Sequence, residues 1–394
     1  MTTKPKIPTD SDKCDFLPPW TYQSKSFLEL EINHLFKPNW LLVGHSSDVP
    51  NPGDYLTFDA FNEQVFVVRD RKGDLSAFFN LCQHRAGRIL NQTTGHCKGA
   101  MTCPFHGWSY DLNGKLLNVP RSDTFSTLDT ASISLQSVDM EIWMGFIFIR
   151  LEQGSLSVAE QLAPIAAEVS HYQPESLEPY LPASDELKPF NWKCIHDIDN
   201  EGYHVPIGHP ALHELYGETY KDTIENDIMV ARGEVTEKVA RSWSVRHYQN
   251  LLPRFDHLPE QKQRTWFYFN FYPNLIFGFY PDMMEIYMTI PESTESTRYI
   301  SRTYALPDKR PEALASRYLN VRINTETADE DDAFVAALQK GMCSSAWQPP
   351  RLSSLEEGVR FFHHRIQQDL PVGRLEKAPS DGEIPLINNQ LLNF

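Results

Sequence analysis

Hydrophobic and polar positions change their period along the chain. Between Ser26 and Phe36 (SFLELEINHLF) apolar side chains fall at Phe27, Leu28, Ile32, Leu35 and Phe36, close to the repeat of an amphipathic helix with Ser24 or Ser26 as its cap. The spacing predicts a leading helix. From Trp40 to about Leu151 the period shortens to two in short runs (DYLTF, EQVFVVRD, LSAFFNL, GFIFIRL), broken at Pro52-Gly53, Lys72-Gly73 and Asn113-Gly114. Asn-Gly is a strong hairpin signal, so this block predicts a small antiparallel β domain. A helical stretch (SVAEQLAPIAAEVSHY) and a Pro-rich passage (QPESLEPYLPASDELKP) follow, which places a boundary near residue 152. Residues 265–306 are dense in aromatic and β-branched side chains with turn breaks and predict adjoining strands; helical texture returns around 311–341 and 354–368. The expectation is an α+β chain of two domains, 1–152 (leading helix and a β core of about 40–152) and 153–394.

Charge and length narrow the classes. The chain has 394 residues, with 36 Lys and Arg against 52 Asp and Glu and a net charge of −16. That excess argues against a nucleic-acid surface and against an anionic membrane. The longest apolar stretch, from Ile142 to Ile149, falls far short of the ~20 residues that span a bilayer. No secretory signal is visible in the first sixteen residues, so a cytoplasmic location is expected. Six unevenly spaced cysteines fit a reducing compartment better than a disulfide framework.

Two of those cysteines stand beside histidines. Cys82-Gln83-His84 is followed, after eighteen residues, by Cys103-Pro104-Phe105-His106 within the β block. Two thiolates and two imidazoles can hold a tetrahedral zinc, or a [2Fe–2S] cluster with both cysteines on one iron and both histidines on the other. The C-x-H opening and the Cys, His, Cys, His order suit the asymmetric cluster. NLCQHRAG followed by CPFHGWSYDLNGKL resembles the two cluster-binding loops of the Rieske family. Cys14, Cys97, Cys194 and Cys343 are read as having no metal role, and Trp108 and Tyr110 as packing residues.

A second constellation lies in NWKCIHDIDNEGYHVPIGHPALH. His204 and His209 would stand about 140° apart on a straight helix, but Pro206, Gly208 and Pro210 imply a break that can turn both toward one ion. Two histidines and a carboxylate form the facial triad of non-haem iron(II) oxygenases. A Rieske block followed by E-x2-H-x4-H resembles the catalytic alpha subunit of Rieske non-haem iron oxygenases, and FLELEINHLFKPNWLLVGHSSDVPNPGDY is similar to that family's N-terminal stretch. The resemblance implies a C-terminal catalytic domain built on a central antiparallel sheet flanked by helices, of helix-grip type. It also implies a distant carboxylate ligand, best matched by Asp331 in ADEDDAFVAALQKG, eight residues before Gln339, with Asp332 and Asp329 as competitors. His196, His213, His363 and His364 match no ligand position.

In that family an acid three residues before the first iron histidine links the iron to the Rieske cluster of a neighbouring subunit. Here it is Glu201 rather than the usual aspartate, which resembles the carnitine, glycine-betaine and choline monooxygenase branch. The resemblance implies a homotrimer, Fe(II) and a [2Fe–2S] cluster as cofactors, and O2 as cosubstrate. With no G-x-G-x-x-G motif in the chain, electrons are expected from a separate NAD(P)H-dependent flavin and iron–sulfur reductase. The aromatic run WFYFNFYPNLIFGFY suggests a cage for a quaternary ammonium, with Tyr203, Phe269, Phe271 and Phe279 as pocket candidates. The expected reaction is N-demethylation or C–N cleavage of a methylated ammonium compound; the alternative is hydroxylation or O-demethylation of an aromatic substrate.

Overall fold

The structure is a computed structural model that describes residues 16–154 and 156–392. Cys14 and the extreme N-terminus lie outside the described residues. Among those described, no helix is long and apolar enough to cross a membrane. The chain is α+β and divides into two compact units, a smaller one of residues 37–163 and 174–179 and a larger one holding the rest.

The smaller unit is antiparallel throughout. β1 (Leu41–His45), β10 (Phe146–Arg150) and β9 (Asp139–Trp143) form one sheet; β4 (Leu75–Phe79), β3 (Glu63–Arg69), β2 (Asp54–Ala60) and β5 (Thr94–His96) form a second. The third joins β6 (Met101–Thr102), β7 (Ser109–Tyr110) and β8 (Leu116–Asn118), with the anticipated Asn113-Gly114 turn between the last two. Gly114 there takes a positive φ of 82°, which a side chain would resist. The core unites Phe66, Val68 and Phe78 with Cys82, Cys103, Trp108 and Tyr110, so the candidate cluster cysteines are anchored in the apolar interior.

The larger unit is built on an antiparallel sheet. β12 (Ser184–Lys188) pairs with β18 (Ser296–Ala305), which is followed in order by β17 (Met284–Ser293), β16 (Leu275–Phe279), β15 (Thr265–Phe271), β14 (Ile228–Glu234) and β13 (Lys221–Glu225). A long helix, α9 (Pro311–Met342), packs on α5 (Trp192–Asp199), α7 (Pro210–Tyr216) and α8 (Trp243–Leu251). Proline in the first turn of α9 removes an amide that has no intrahelical partner anyway.

The leading segment corrects the expected division. Ser24 does cap a helix, α2 (Lys25–Glu31), by accepting from the Phe27 amide, and a π-helical turn continues it to Phe36. This segment belongs to the larger unit and not to the β domain. Its Glu31 is fully buried against Lys193 at 2.6 Å, and Tyr22 donates to Asp197 at 2.8 Å. Leaving either charge of a buried pair alone would cost several kcal/mol, on the order of 3–5, so the apolar face of the helix goes where its acid finds a cation.

Candidate metal centres

The two Cys/His loops fold alike. The Cys82 amide donates to the Gly87 carbonyl, and the Cys82 carbonyl accepts from the Ala86 amide; Cys103 does the same with Trp108 and Gly107. Ala86 (φ 55°) and Gly107 (φ 76°) occupy the same left-handed position in each turn. Both cysteines are buried, and the His84 and His106 rings stand on the outer side with their Nδ1 atoms 3.1 Å apart. His84 stacks on Trp108 at 5.0 Å between centroids. Burial pushes the Cys82 thiol up, so two thiolates at this depth call for a positive centre to offset them. Two buried sulfurs and two facing imidazole nitrogens fit a [2Fe–2S] cluster. Tyr110, expected only to pack, accepts from the Gln83 amide at 2.9 Å and places its hydroxyl 3.3 Å from Cys82 Sγ.

The second centre forms where the helical segment breaks. α6 (Val205–Gly208) ends at His209, whose φ of −125° and ψ of 74° leave the helical region before Pro210 starts α7. The break brings His204 Nε2 and His209 Nε2 within 3.0 Å. A Cβ at Gly208 would lie 2.9 Å from Phe334 and 3.3 Å from His204, so the glycine lets Phe334 of α9 pack against both imidazoles. Asp331, one turn back on α9, puts Oδ1 2.9 Å from His209 Nε2 and 3.7 Å from His204 Nε2.

The imidazole partners decide which atoms are free. His204 Nδ1 lies 2.5 Å from Glu201 Oε1, and His209 Nδ1 lies 2.8 Å from Glu330 Oε2. Each carboxylate only accepts, so each Nδ1 carries the proton and each Nε2 presents a lone pair. Asp331 Oδ1 is buried without a hydrogen-bond partner. With both rings neutral, three lone-pair atoms therefore face one point, the arrangement a cation satisfies. Burial disfavours a charged His209, yet Asp331 and Glu330 outweigh it and hold this ring above its ordinary value. The local field favours positive charge.

The competing carboxylates are elsewhere. Asp332 pairs with Lys188 at 2.7 Å and Asp329 is exposed. Gln339 fixes α9 by accepting from the Asn191 amide and donating to the Pro189 carbonyl. His196 is buried beside Thr289, and burial pushes its pKa down to about 3. His363 is buried on Asp197. Glu330 carries no signal of its own in the sequence, where it is one acid in a run of acids.

A cavity of about 150 Å3 adjoins the triad, lined by Glu201, His204, His209 and Asp331 together with Tyr268, Tyr280, Tyr287, Tyr299 and Glu285. The phenylalanine candidates do not reach it. Successive residues of a strand face opposite ways, so Tyr268 and Asn270 line the cavity while Phe269 and Phe271 point to the other face. There Phe269 stacks on Phe277 at 4.7 Å and Phe279 packs against Tyr172 at 5.1 Å. Tyr203 is 57% exposed and lines no part of the cavity.

Comparison with known proteins bears on both centres. The family described as ring hydroxylating alpha subunit (catalytic domain) matches residues 166–371, and the Rieske [2Fe-2S] domain matches residues 39–135. The carnitine monooxygenase oxygenase subunit of Escherichia coli (strain K12) is 33% identical over 197 residues, 50% of this chain, and the chain spans about half that relative's length, 52%. The chloroplastic choline monooxygenase of Amaranthus tricolor is 27% identical over 93% of this chain and 80% of its own. The fold is that of a quaternary ammonium Rieske monooxygenase studied for carnitine oxidation and inter-subunit electron transfer, with a TM-score of 0.77 at 22% identity over 90% of this chain and 95% of that one.

Proposed function

The chain belongs to the ring hydroxylating alpha subunit family, and from that premise we propose that it is the oxygenase component of a Rieske monooxygenase acting on a methylated quaternary ammonium compound, by N-demethylation or C–N cleavage. The observation that carries the reading is the convergence of His204 Nε2, His209 Nε2 and Asp331 Oδ1 beside a tyrosine-lined cavity.

Cys82, His84, Cys103 and His106 would hold the [2Fe–2S] cluster, and His204, His209 and Asp331 the mononuclear iron. Bound there, the two groups would supply one-electron relay and dioxygen activation. The chain's own residues prepare the site. Glu201 and Glu330 keep the Nδ1 protons in place and fix both ring planes. Tyrosine faces attract an ammonium by roughly 0.5–2 kcal/mol per contact, and Tyr268, Tyr280, Tyr287 and Tyr299 line the cavity beside the triad. Glu201 also connects the iron to electron delivery from the cluster of a neighbouring subunit in a homotrimer, with a separate NAD(P)H-dependent reductase as donor. Inter-subunit electron transfer studied in the quaternary ammonium Rieske monooxygenase and the oxygenase-subunit names of the relatives support this arrangement.

The test is product formation by the iron-replete protein with a surrogate reductase. Formaldehyde or a C–N cleavage aldehyde, stoichiometric with oxygen and NADH, is expected from one methylated ammonium compound. A hydroxylated or O-demethylated aromatic product would replace the substrate class and leave both centres as assigned.

A further inference from the structure

The sheet wall of the cavity is built around one row of residues. Tyr268, Gly278 and Glu285 lie side by side across β15, β16 and β17. A Cβ at Gly278 would lie 2.7 Å from the Tyr280 hydroxyl and 3.2 Å from Tyr268. Glycine therefore keeps the floor between Tyr268 and Glu285 open. Glu285 lines the cavity and acts electrostatically on Tyr268, Tyr280 and Tyr299. Among the described residues no lysine, arginine or histidine is paired with it, and burial alone pushes its carboxyl up to about 7. Asp199 lines the same space, and its Oδ2 is buried without a hydrogen-bond partner. Among the described residues no lysine or arginine lines the cavity.

This charge pattern is selective. A carboxylate without a partner in such surroundings is costly, and the cost is recovered when a cation arrives beside it. A zwitterion brings its own carboxylate, which on the sheet side of the cavity, away from His204 and His209, would find Glu285 and Asp199 and no lysine or arginine among the described lining residues; like charges brought together in this way oppose binding. We propose that Glu285 is a specificity-determining residue that sets the cavity for a methylated ammonium compound of net positive charge, with a hydroxyl or alkyl arm, over a betaine that carries a carboxylate. The inference rests on the quaternary-ammonium reading above and names the branch of that class.

Calorimetric titration of the iron-replete protein with choline, its uncharged carbon isostere, and glycine betaine tests it. Choline is expected to bind about tenfold or more tighter than either of the others. Glu285→Gln should weaken choline by about tenfold and leave the isostere within about twofold, narrowing the gap between them. Glu285→Asp, which keeps the charge, should restore most of the preference and provides the second variant where Gln is not tolerated. Visible spectrum and thermal midpoint confirm that each variant is folded. Tighter binding of betaine than choline by the wild type, or an unchanged choline-to-isostere ratio in Glu285→Gln, overturns the role of Glu285 while the substrate class stands. Binding of aromatic acids and of none of the ammonium compounds overturns the class itself, and with it this inference.

Discussion

In the β domain each Cys/His pair rides on a loop that ties itself shut with its own backbone, the same two amide-to-carbonyl bonds and the same left-handed residue appearing in both turns. The His204–His209–Asp331 set is assembled differently, from a broken helical segment and a remote helix, with ring orientation delegated to Glu201 and Glu330. A loop fixed by main-chain bonds tolerates side-chain change around it. A set fixed by side chains fails through its neighbours. The contrast suits an electron relay held rigid on one hand and a site that must admit substrate and oxygen on the other.

Removing one ligand is the strongest way to break the contrast. In Asp331→Ala the three convergent atoms become two, so mononuclear iron should be lost and product formation should fall to background, while the Rieske absorption stays intact. Metal analysis beside the visible spectrum reads both at once. Retained iron and turnover would move the carboxylate role to another acid, although Asp332 is already engaged by Lys188.

The supporting glutamates come next. Glu330→Gln keeps the volume but lets the amide donate toward His209 Nδ1, removing the preference for the tautomer that frees Nε2. Iron affinity should fall by about 10- to 100-fold, measured by competition with a chelator. Glu201→Gln should lower iron affinity comparably, through His204 Nδ1, and in the iron-loaded protein should also slow reoxidation of the reduced cluster when oxygen and substrate are mixed in. Equal reoxidation in the two iron-loaded variants would remove the special electron-transfer role given to Glu201.

Much of this was legible in the sequence, and the exceptions share a cause. Contiguous motifs reveal the loops because their ligands are neighbours, and Pro206, Gly208 and Pro210 announce the break that brings His204 to His209. Glu330 is invisible because a carboxylate beside Asp331 looks like any acid on a solvated helix until the helix is placed. The pocket lining follows a sharper rule than aromatic density. In WFYFNF the alternation itself separates the apolar odd positions from Tyr268 and Asn270, and polar tips belong on the face with a cavity. The leading helix was legible as a helix but not as part of the larger unit, since its assignment depends on Glu31 finding Lys193.

The paired turns give a smaller test with opposite signs. Gly107→Ala puts a side chain at a φ of 76° and 3.2 Å from Pro120 Cγ, and should cost roughly 1 kcal/mol. Ala86→Gly relieves the equivalent position at 55° and should be neutral or gain a few tenths of a kcal/mol, about what the extra freedom of the unfolded chain leaves. Thermal midpoints with the cluster loaded measure both. Two losses of equal size would mean that the turns are not equivalent.

The smallest expected effect concerns Tyr110, the one side chain that intrudes on the backbone-built loops. Its oxygen already accepts the Gln83 amide, so its own hydrogen is available to Cys82 Sγ at 3.3 Å. A hydrogen bond to a ligand sulfur draws off negative charge and favours the reduced cluster. Tyr110→Phe leaves the ring in the core and removes both that bond and the one accepted from the Gln83 amide, of which only the first touches a ligand sulfur, so the cluster potential should fall by about 30 mV, half of what a tenfold change in a one-electron equilibrium requires. Redox titration of the loaded protein measures it. A fall of that size in a variant that still loads its cluster makes the loop a tuned relay; no shift at all would return Tyr110 to the packing role that its place in the sequence suggests.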